Sequence, residues 1–170
     1  DEFDADFYFT GQLLIAMPGM RDEQFYKTVI YLCAHTDEGA MGLVLNQVIK
    51  GLSFPNLLEQ LGIEENGKGG AVPVHFGGPV EAGRGFVLHS NEYVSETTTK
   101  FKNLSISSDY NTLLKIADNK GPKNKLIIIG ISSWGPGQLD GEIEKDSWVL
   151  SEIKEEIIFK VENDKKWKNA

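Results

Sequence analysis

The strongest structural signal in the sequence is a β-hairpin over residues 28–46. Residues 28–35 are rich in β-branched and aromatic side chains and predict one strand, and residues 40–46 predict its partner. Asp37, Glu38 and Gly39 supply the short polar turn between them. Strands joined by so short a turn pair antiparallel, so any fold of this chain must contain antiparallel sheet.

The rest of the sequence predicts an irregular order of strands and helices. Strands are predicted over residues 12–16, 72–76, 85–90, 126–131, 148–150 and 153–159, and helices over residues 56–61, 108–118 and 138–145. Residues 91–102 predict an edge strand or a loop, and the polar residues 64–70 predict a mobile loop. Because strands and helices do not alternate regularly, an α+β fold with much antiparallel pairing is expected.

The helix over residues 108–118 has the clearest boundaries. Ser107 or Ser108 can cap its first N–H groups, and residues 119–122 end it. Its predicted apolar face consists of Tyr110, Leu113, Leu114 and Ala117. In the shorter helix over residues 56–61, one face is formed by Leu57, Leu58 and Leu61. Each helix is therefore expected to bury one side.

The composition is that of an ordinary globular protein, with 41% hydrophobic and 25% charged residues. A chain of 170 residues can bury one core, so a single domain over residues 1–170 is expected. Its 17 basic residues against 25 acidic ones give a net charge of −8, which opposes broad binding to nucleic-acid phosphates. Acidic residues interrupt the four lysines of residues 160–168, and this tail is expected to be a solvated end.

Targeting and redox signals are sparse. Cys33 is the only cysteine, so neither an intrachain disulfide nor an all-cysteine metal site can form. No apolar run approaches the length of a membrane span, and the first residues show no secretory signal. The protein is therefore expected in the cytoplasm, without a membrane contact and without a cofactor.

Cys33 lies two residues from His35 on a predicted strand, which places both side chains on one face. A thiolate nucleophile needs such a nearby base, whereas a buried cysteine ordinarily behaves as a small hydrophobic residue. The three histidines, His35, His75 and His89, show no metal-ligand spacing. The sequence therefore predicts neither a catalytic thiol nor a metal site.

Six stretches of the sequence, in order, resemble the YqgE/AlgH family of bacterial proteins. They are LIAMP (14–18), VIYLC (29–33), GAMGLVLN (39–46), GGPV (77–80), RGFVLHS (84–90) and WGPGQL (134–139). The resemblance implies one compact α+β domain with a mixed, mostly antiparallel, barrel-like sheet flanked by helices, and residues 1–9 and 162–170 are expected at its periphery. It implies no established reaction, because the family is largely uncharacterised. Part of its name comes from a proposed role in the transcriptional regulation of alginate production.

Two glycine-rich turns nominate a ligand site. Gly78 lies in the first turn, and Arg84, flanked by glycines, lies in the second, directly before the strand that ends in His89. Glycines let a backbone approach a ligand closely, and the planar guanidinium of Arg84 could hold a carboxylate or phosphate. The alternative is two tight turns, with Arg84 paired to Glu81 or another acid.

The loop predicted over residues 132–137 is a second candidate region. Trp134 could form an aromatic wall for a ligand or cover an edge of the core. The helix that follows begins at Gln138, and its first N–H groups favour anions, although Asp140 and Glu142 could satisfy them internally. The candidate ligand-binding residues are Gly78, Arg84, His89, Trp134 and Gln138, and no catalytic residue is assigned.

Two functions are consistent with these patterns. The leading hypothesis is a non-enzymatic binding or regulatory protein that acts through another protein, including an indirect role in transcriptional regulation. The alternative is a protein that binds a small anionic ligand, or an enzyme, with a pocket around Arg84, His89 and Trp134. Direct nucleic-acid binding is not expected. Convergence of those three side chains on one polar pocket would favour the alternative, and an exposed apolar patch would favour a partner surface.

Overall fold

The computed structural model describes residues 9–20, 22–23, 25–63 and 72–170, and the loop predicted over residues 64–70 lies outside these ranges. The strands are β1 (Leu13–Ala16), β2 (Val29–Thr36), β3 (Gly39–Val44), β4 (Val48–Ser53), β5 (Pro73–Phe76), β6 (Val80–His89), β7 (Thr99–Phe101), β8 (Leu104–Ser107), β9 (Lys125–Trp134) and β10 (Trp148–Ser151). The helices are α1 (Phe54–Gln60), α2 (Tyr110–Ala117), α3 (Gln138–Glu144), α4 (Glu155–Phe159) and α5 (Asn163–Asn169). The predicted α+β class is confirmed. Within the described ranges, no helix combines the length and apolar character needed to cross a bilayer.

These elements form two compact units, each assembled from separated stretches of the chain. The first unit contains the described residues up to 47 together with residues 76–82 and 130–170. The second unit contains residues 83–129 and the described part of residues 48–75. Each unit has its own cluster of buried apolar side chains, so each is stabilised by its own core.

Four strands of the first unit lie side by side in the order β10-β1-β2-β3, and the part of β9 in this unit, residues 130–134, pairs with β3. All four pairings are antiparallel, and β1, for example, pairs Leu14 with Ile30 of β2 and with Leu150 of β10. The hairpin predicted over residues 28–46 is confirmed as β2 and β3, joined at a two-residue turn. The expectation of mostly antiparallel pairing is therefore confirmed as well.

A bulge in β2 decides which face its last residues occupy. Leu32 pairs with Gly42 of β3. Three residues further along β2, His35 pairs with Ala40, which is only two residues from Gly42. Since paired residues point to the same side and Ala40 shares a face with Gly42, His35 shares a face with Leu32. The predicted common face of Cys33 and His35 is wrong, because the bulge inserts one extra residue into the strand.

Trp134 lies in the core of the first unit. Residues 132–134 were expected in a loop, but they continue β9, and Trp134 pairs with Ala40 of β3. The indole is 4% exposed and packs with Trp148, which is 2% exposed. Phe25 stacks on Trp134 at a centroid distance of 5.9 Å and meets Trp148 edge-on at 5.5 Å. Of the two interpretations of Trp134, core cover is the one that its surroundings support.

The second unit contains a β6-β8-β7 ladder and the β4–β5 pair, and β5 also pairs with β9. Strand β7 ends the ladder, as expected for an edge strand within residues 91–102. Neither β4 nor β8 was predicted. In β8, Leu104, Ser105 and Ser107 are 1%, 2% and 0% exposed, so this strand buries polar as well as apolar positions, and its apolar and polar residues alternate over only four residues.

The cap and the buried face of α2 differ from those predicted. Asp109, rather than Ser107 or Ser108, caps the helix, because its carboxylate accepts the N–H of Thr112 at 3.0 Å. The fully buried side chains are Thr112, Ile116 and Ala117, whereas Tyr110 is 49% exposed and Leu114 is 37% exposed. The helix is therefore rotated so that Ile116 enters the core and Tyr110 and Leu114 stay at the surface.

The C-terminal residues form helices and pack into the first unit. The strand predicted over residues 153–159 is wrong, since these residues include α4, which buries Ile157 and Ile158. In α5, Lys166 is 2% exposed and its Nζ donates to the carbonyl of Leu45 at 3.0 Å. The indole of Trp167 donates to the carbonyl of Ala16 at 2.7 Å. The tail is thus not the solvated end that its charge pattern indicated, because the lysine stem is buried and only its amine meets a polar partner.

Lys166 should make stability depend on pH. Burial lowers the pKa of its amine from 10.5 to about 8. Between these two values the unfolded chain binds more protons than the folded one, so the contribution of Lys166 to stability increases as the pH rises from 8 towards 10.5. The free energy of unfolding of wild type, relative to Lys166→Met, should rise by about 1 kcal/mol between pH 7 and pH 9.

Urea denaturation of both proteins at the two pH values measures this difference. Both proteins contain the same other titrating groups, such as Cys33, whose thiol pKa is raised by burial to about 12. The effects of these groups on stability therefore cancel in the difference. A difference between wild type and Lys166→Met that stays the same at both pH values would contradict the burial of a charged amine.

Candidate functional site

The second unit contains an open pocket of about 220 Å³ with mostly apolar walls. Helix α1 contributes Leu57, Leu61 follows directly after this helix, β6 contributes Phe86, and α2 contributes Tyr110 and Leu113. Pockets for drug-sized ligands measure roughly 300–1,000 Å³, so this one has room for a single large apolar side chain or a fragment of similar size. Two of its wall residues, Leu61 and Tyr110, are 43% and 49% exposed.

Asp109 is the charged residue of the pocket wall. Its Oδ1 accepts hydrogen bonds from the hydroxyls of Ser95, Thr97 and Thr112, and its Oδ2 accepts the N–H of Thr112. Burial by itself raises the pKa of this carboxyl, but the hydrogen bonds more than offset it and lower the pKa to about 2. Asp109 is therefore a carboxylate near neutral pH, with four donors from its own chain.

Ser107 and His89 form a buried hydrogen-bonded pair beside the pocket. His89 Nδ1 lies 2.8 Å from the carbonyl of Ser90, which can only accept, so Nδ1 carries the proton. Nε2 then accepts from the Ser107 hydroxyl at 2.7 Å, and Ser107 accepts from Thr98. Burial lowers the pKa of His89, which keeps the ring neutral. This polarity is that of an activated serine. Ser107 is one of the residues that line the pocket, but Ser107 and His89 are both 0% exposed, and their hydrogen bond links β6 to β8.

Arg84 is flanked in the chain by wall residues of the same pocket. It is an exposed residue of β6 between Gly83 and Gly85, which both line the pocket. The central carbon of its guanidinium lies 5.0 Å from the ring centroid of Phe86, another wall residue. None of the five residues predicted to bind a ligand is a wall residue of this pocket, and Arg84 is the one whose chain neighbours line it.

Trp134 and Gln138 both contact Glu142 in the first unit. Glu142 Oε1 accepts the indole N–H groups of Trp134 at 3.1 Å and of Trp148 at 2.9 Å. Glu142 Oε2 accepts the side-chain amide N–H of Gln138 at 3.1 Å, and Gln138 Oε1 accepts the N–H of Gly135. These polar groups hold α3 against β9 and β10, which gives both predicted site residues a structural role.

Gly78 is required by close backbone packing. A Cβ atom placed on Gly78 would lie 2.3 Å from the backbone of Ile131 and Ser132, and its φ is +149°. The neighbouring carbonyl of Gly77 accepts from the Ser132 hydroxyl at 3.0 Å. The first glycine turn thus approaches a strand of its own unit, and this contact accounts for the glycine.

The predicted pocket around Arg84, His89 and Trp134 draws on residues of both units, since Trp134 belongs to the first and the other two to the second. His89 is fully buried behind Ser107 and is not a wall residue of the pocket described above.

His35 in the first unit accepts the N–H of Phe9 at Nδ1, and its Nε2 lies 2.8 Å from Asp140 Oδ1. Within the described part of the chain, no three His, Cys, Asp or Glu side chains form a group that could hold a metal ion.

The residues of the pocket wall were not predicted as a site from the sequence, although several of them belong to predicted apolar helix faces. Leu57 and Leu61 share the apolar face predicted for α1, and Tyr110 and Leu113 share the one predicted for α2. Both faces were interpreted as core. Leu61 and Tyr110 extend past that core to the surface, and only the packed structure shows where the core ends.

The fold and the pocket define an α+β protein with antiparallel sheet and a small, mostly apolar pocket in its second unit. Residues 13–170 match the family described as AlgH-like. A UPF0301 protein from Paracoccus denitrificans is 44% identical over 165 residues, which cover 95% of this chain and 87% of that protein. The solution structure of the AlgH protein from Pseudomonas aeruginosa matches with a TM-score of 0.82 at 34% identity, over 95% of this chain and 86% of that one. The chain belongs to the AlgH-like family, as its motifs predicted.

A more distant structure shares the fold. Protein DIP2367 from Corynebacterium diphtheriae matches with a TM-score of 0.73, over 95% of this chain and 85% of that one. Its sequence identity is 19%, so this similarity concerns the architecture alone.

Proposed function

We propose that the protein is a non-enzymatic binding protein that acts through a partner protein and receives one large apolar side chain of that partner in the pocket of the second unit. The observation that carries the proposal is an open apolar pocket whose wall includes the exposed side chains of Leu61 and Tyr110. Scattered exposed apolar residues are ordinary, but apolar residues that extend a pocket onto the surface are typical of a binding site. An indirect regulatory role, in transcription or elsewhere, is exerted through that partner.

The charge of the second unit bears on the kind of partner. In the sequence, residues 48–75 and 83–129 together contain 9 Lys and Arg against 7 Asp and Glu, a net charge of +2. Residues 1–47, 76–82 and 130–170 contain 8 against 18, a net charge of −10. The acidity of the whole chain therefore belongs to the first unit, and the second unit does not repel an acidic partner.

Selection from a library of short random peptides displayed on phage should recover peptides that share a Trp, Phe or Leu anchor. Tyr110→Lys should weaken the binding of these peptides about tenfold, because it removes apolar area and places a hydrated charge on the pocket wall. Fluorescence anisotropy with labelled peptides measures the effect.

Val94→Lys is the matched control. Val94 is 75% exposed in the same unit and is not a wall residue of the pocket, so its substitution should leave peptide binding unchanged. Recovery of no peptides with an apolar anchor, or equal losses in Tyr110→Lys and Val94→Lys, would contradict the proposed function.

A further inference from the structure

We propose that the partner segment binds in an extended conformation, as an added strand beside residues 83–86 of β6, and that its apolar side chain enters the pocket over Gly83 and Gly85. The inference rests on the proposed function, because it specifies how the partner protein binds at the same pocket. The occupant is an extended peptide segment with a large apolar side chain, and its backbone forms hydrogen bonds with β6.

The ladder between β6 and β8 ends at the pocket. Its last pair is Val87 with Ser107, and both residues line the pocket. Strand β8 ends at Ser107, whereas residues 83–86 of β6 lie beyond this last pair. Among the strands that the structure describes, the neighbours of β6 are β9 and β8. The strand position next to residues 83–86, on the side of β8, therefore has no strand in the described part of the chain.

The main chain at this position suits another strand. Every second residue of a strand directs its N–H and C=O groups to the same side, so two of the four residues 83–86 direct theirs towards the side of β8. Gly83 and Gly85 are exposed, and because glycine has no side chain, this exposed surface belongs to the main chain. A peptide can therefore reach the backbone of β6 without displacing a side chain of either glycine.

The same glycines leave room for the apolar side chain of the partner. Gly83, Gly85 and Val87 are alternate residues of β6, so they share one face, and all three line the pocket. A Cβ atom on Gly83 would meet no atom of a more distant residue within 4 Å, and one on Gly85 would meet only the carbonyl oxygen of Ile128, at 3.9 Å. Since directly paired residues point to the same face, a side chain opposite either glycine extends over this gap. Aromatic side chains that cover a glycine in this way stabilise strand pairing.

The charged residue of the pocket wall does not favour a small charged ligand over a peptide. The carboxylate of Asp109 already accepts hydrogen bonds from Ser95, Thr97 and Thr112. A cationic ligand would have to displace these donors, one of which is the N–H that Asp109 caps in α2. A peptide backbone beside β6 requires no such exchange.

Two probes with the same indole test the inference, N-acetyltryptophanamide and the capped pentapeptide N-acetyl-Ser-Thr-Trp-Thr-Ser-amide. NMR titration of methyl-labelled protein measures both affinities at the wall residues Leu57, Leu61 and Leu113. The pentapeptide should bind about tenfold more tightly, because its backbone adds hydrogen bonds along β6. A set of pentapeptides with one N-methyl group each then examines every N–H. Methylation should remove the gain at alternate residues and preserve it at the residues between them.

Intermolecular NOEs should connect the backbone of the pentapeptide with the backbone protons of residues 83–86. Gly83→Leu should weaken the binding of both probes at least about tenfold, because the new side chain fills the gap that the indole needs. Ala82→Leu is the control, since it places the same side chain on the preceding residue of β6, which is exposed and is not a wall residue. It should leave both affinities unchanged.

The outcomes separate the inference from the proposed function. Equal affinity for the two probes, N-methyl effects that do not alternate, or NOEs to β7 instead of β6 overturn the added strand, while binding of N-acetyltryptophanamide still supports the pocket. A dimer in sedimentation velocity that Gly83→Leu dissociates would assign the position to a second copy of the chain and overturn the partner segment. If neither probe shifts the wall methyl groups, the proposed function fails and the inference fails with it. The N-methyl series uses the wild-type protein, so the test stays decisive if Gly83→Leu does not fold.

Discussion

Gly78→Ala should lower the free energy of unfolding by about 3 kcal/mol or more. The new Cβ would lie 2.3 Å from backbone atoms of Ile131 and Ser132, and a side chain at φ +149° is itself strained. Backbone atoms cannot rotate away as a flexible side chain can, so the two segments must separate. Gly130→Ala should cost a similar amount, because its Cβ would lie 2.2 Å from the carbonyl oxygen of Gly78.

Gly19→Ala is the control for these variants. Its Cβ position has no neighbouring atom within 4 Å, so the substitution should change stability by less than about 1 kcal/mol. Urea denaturation followed by circular dichroism compares the variants. Equal stability of Gly78→Ala and Gly19→Ala would show that the two segments do not approach as closely as described.

Glu142→Ala should destabilise the protein by about 2–4 kcal/mol, because it leaves the indole N–H groups of Trp134 and Trp148 without their acceptor in a buried site. Glu142→Gln should cost less, since the amide oxygen can still accept a hydrogen bond. Tryptophan emission should shift to longer wavelength in the alanine variant as the packing of the indoles loosens.

Glu144→Ala provides the comparison on the same helix. Glu144 is an exposed residue of α3, and its removal should change the free energy of unfolding by less than about 0.5 kcal/mol. Losses of similar size in the Glu142→Ala and Glu144→Ala variants would mean that the carboxylate of Glu142 does not organise the tryptophan cluster.

Local patterns allowed the hairpin, α2 and α3 to be predicted, because short turns, caps and apolar periodicity act over a few residues. The predictions failed where contacts distant in sequence decide the conformation. The bulge near Cys33 is visible only in the register of β2 against β3, and β8 depends on serines that find hydrogen-bond partners in other segments. Residues 153–159 contain β-branched residues typical of a strand, but their packing favours a helix.

The candidate site could be predicted only in part for the same reason. Arg84 between two glycines was predicted in a turn before a strand, whereas the structure places it within β6, as an exposed residue whose two neighbours line the pocket. Trp134 and Gln138 have chemistry that suits a ligand equally well, and only the position of Glu142 gives them an internal partner. The sequence gives no signal that Lys166 is buried, because its hydrogen-bond acceptor is the carbonyl of Leu45, which is far away in the chain.

NMR titration of methyl-labelled protein with N-acetyltryptophanamide shows whether the pocket accepts a large apolar side chain. We expect saturable shifts of methyl groups on Leu57, Leu61 and Leu113, and loss of the shifts at Leu57 and Leu61 in Leu113→Trp, in which the new indole fills the cavity. Shifts confined to methyl groups of the first unit, or shifts at the pocket that persist unchanged in Leu113→Trp, would contradict this expectation.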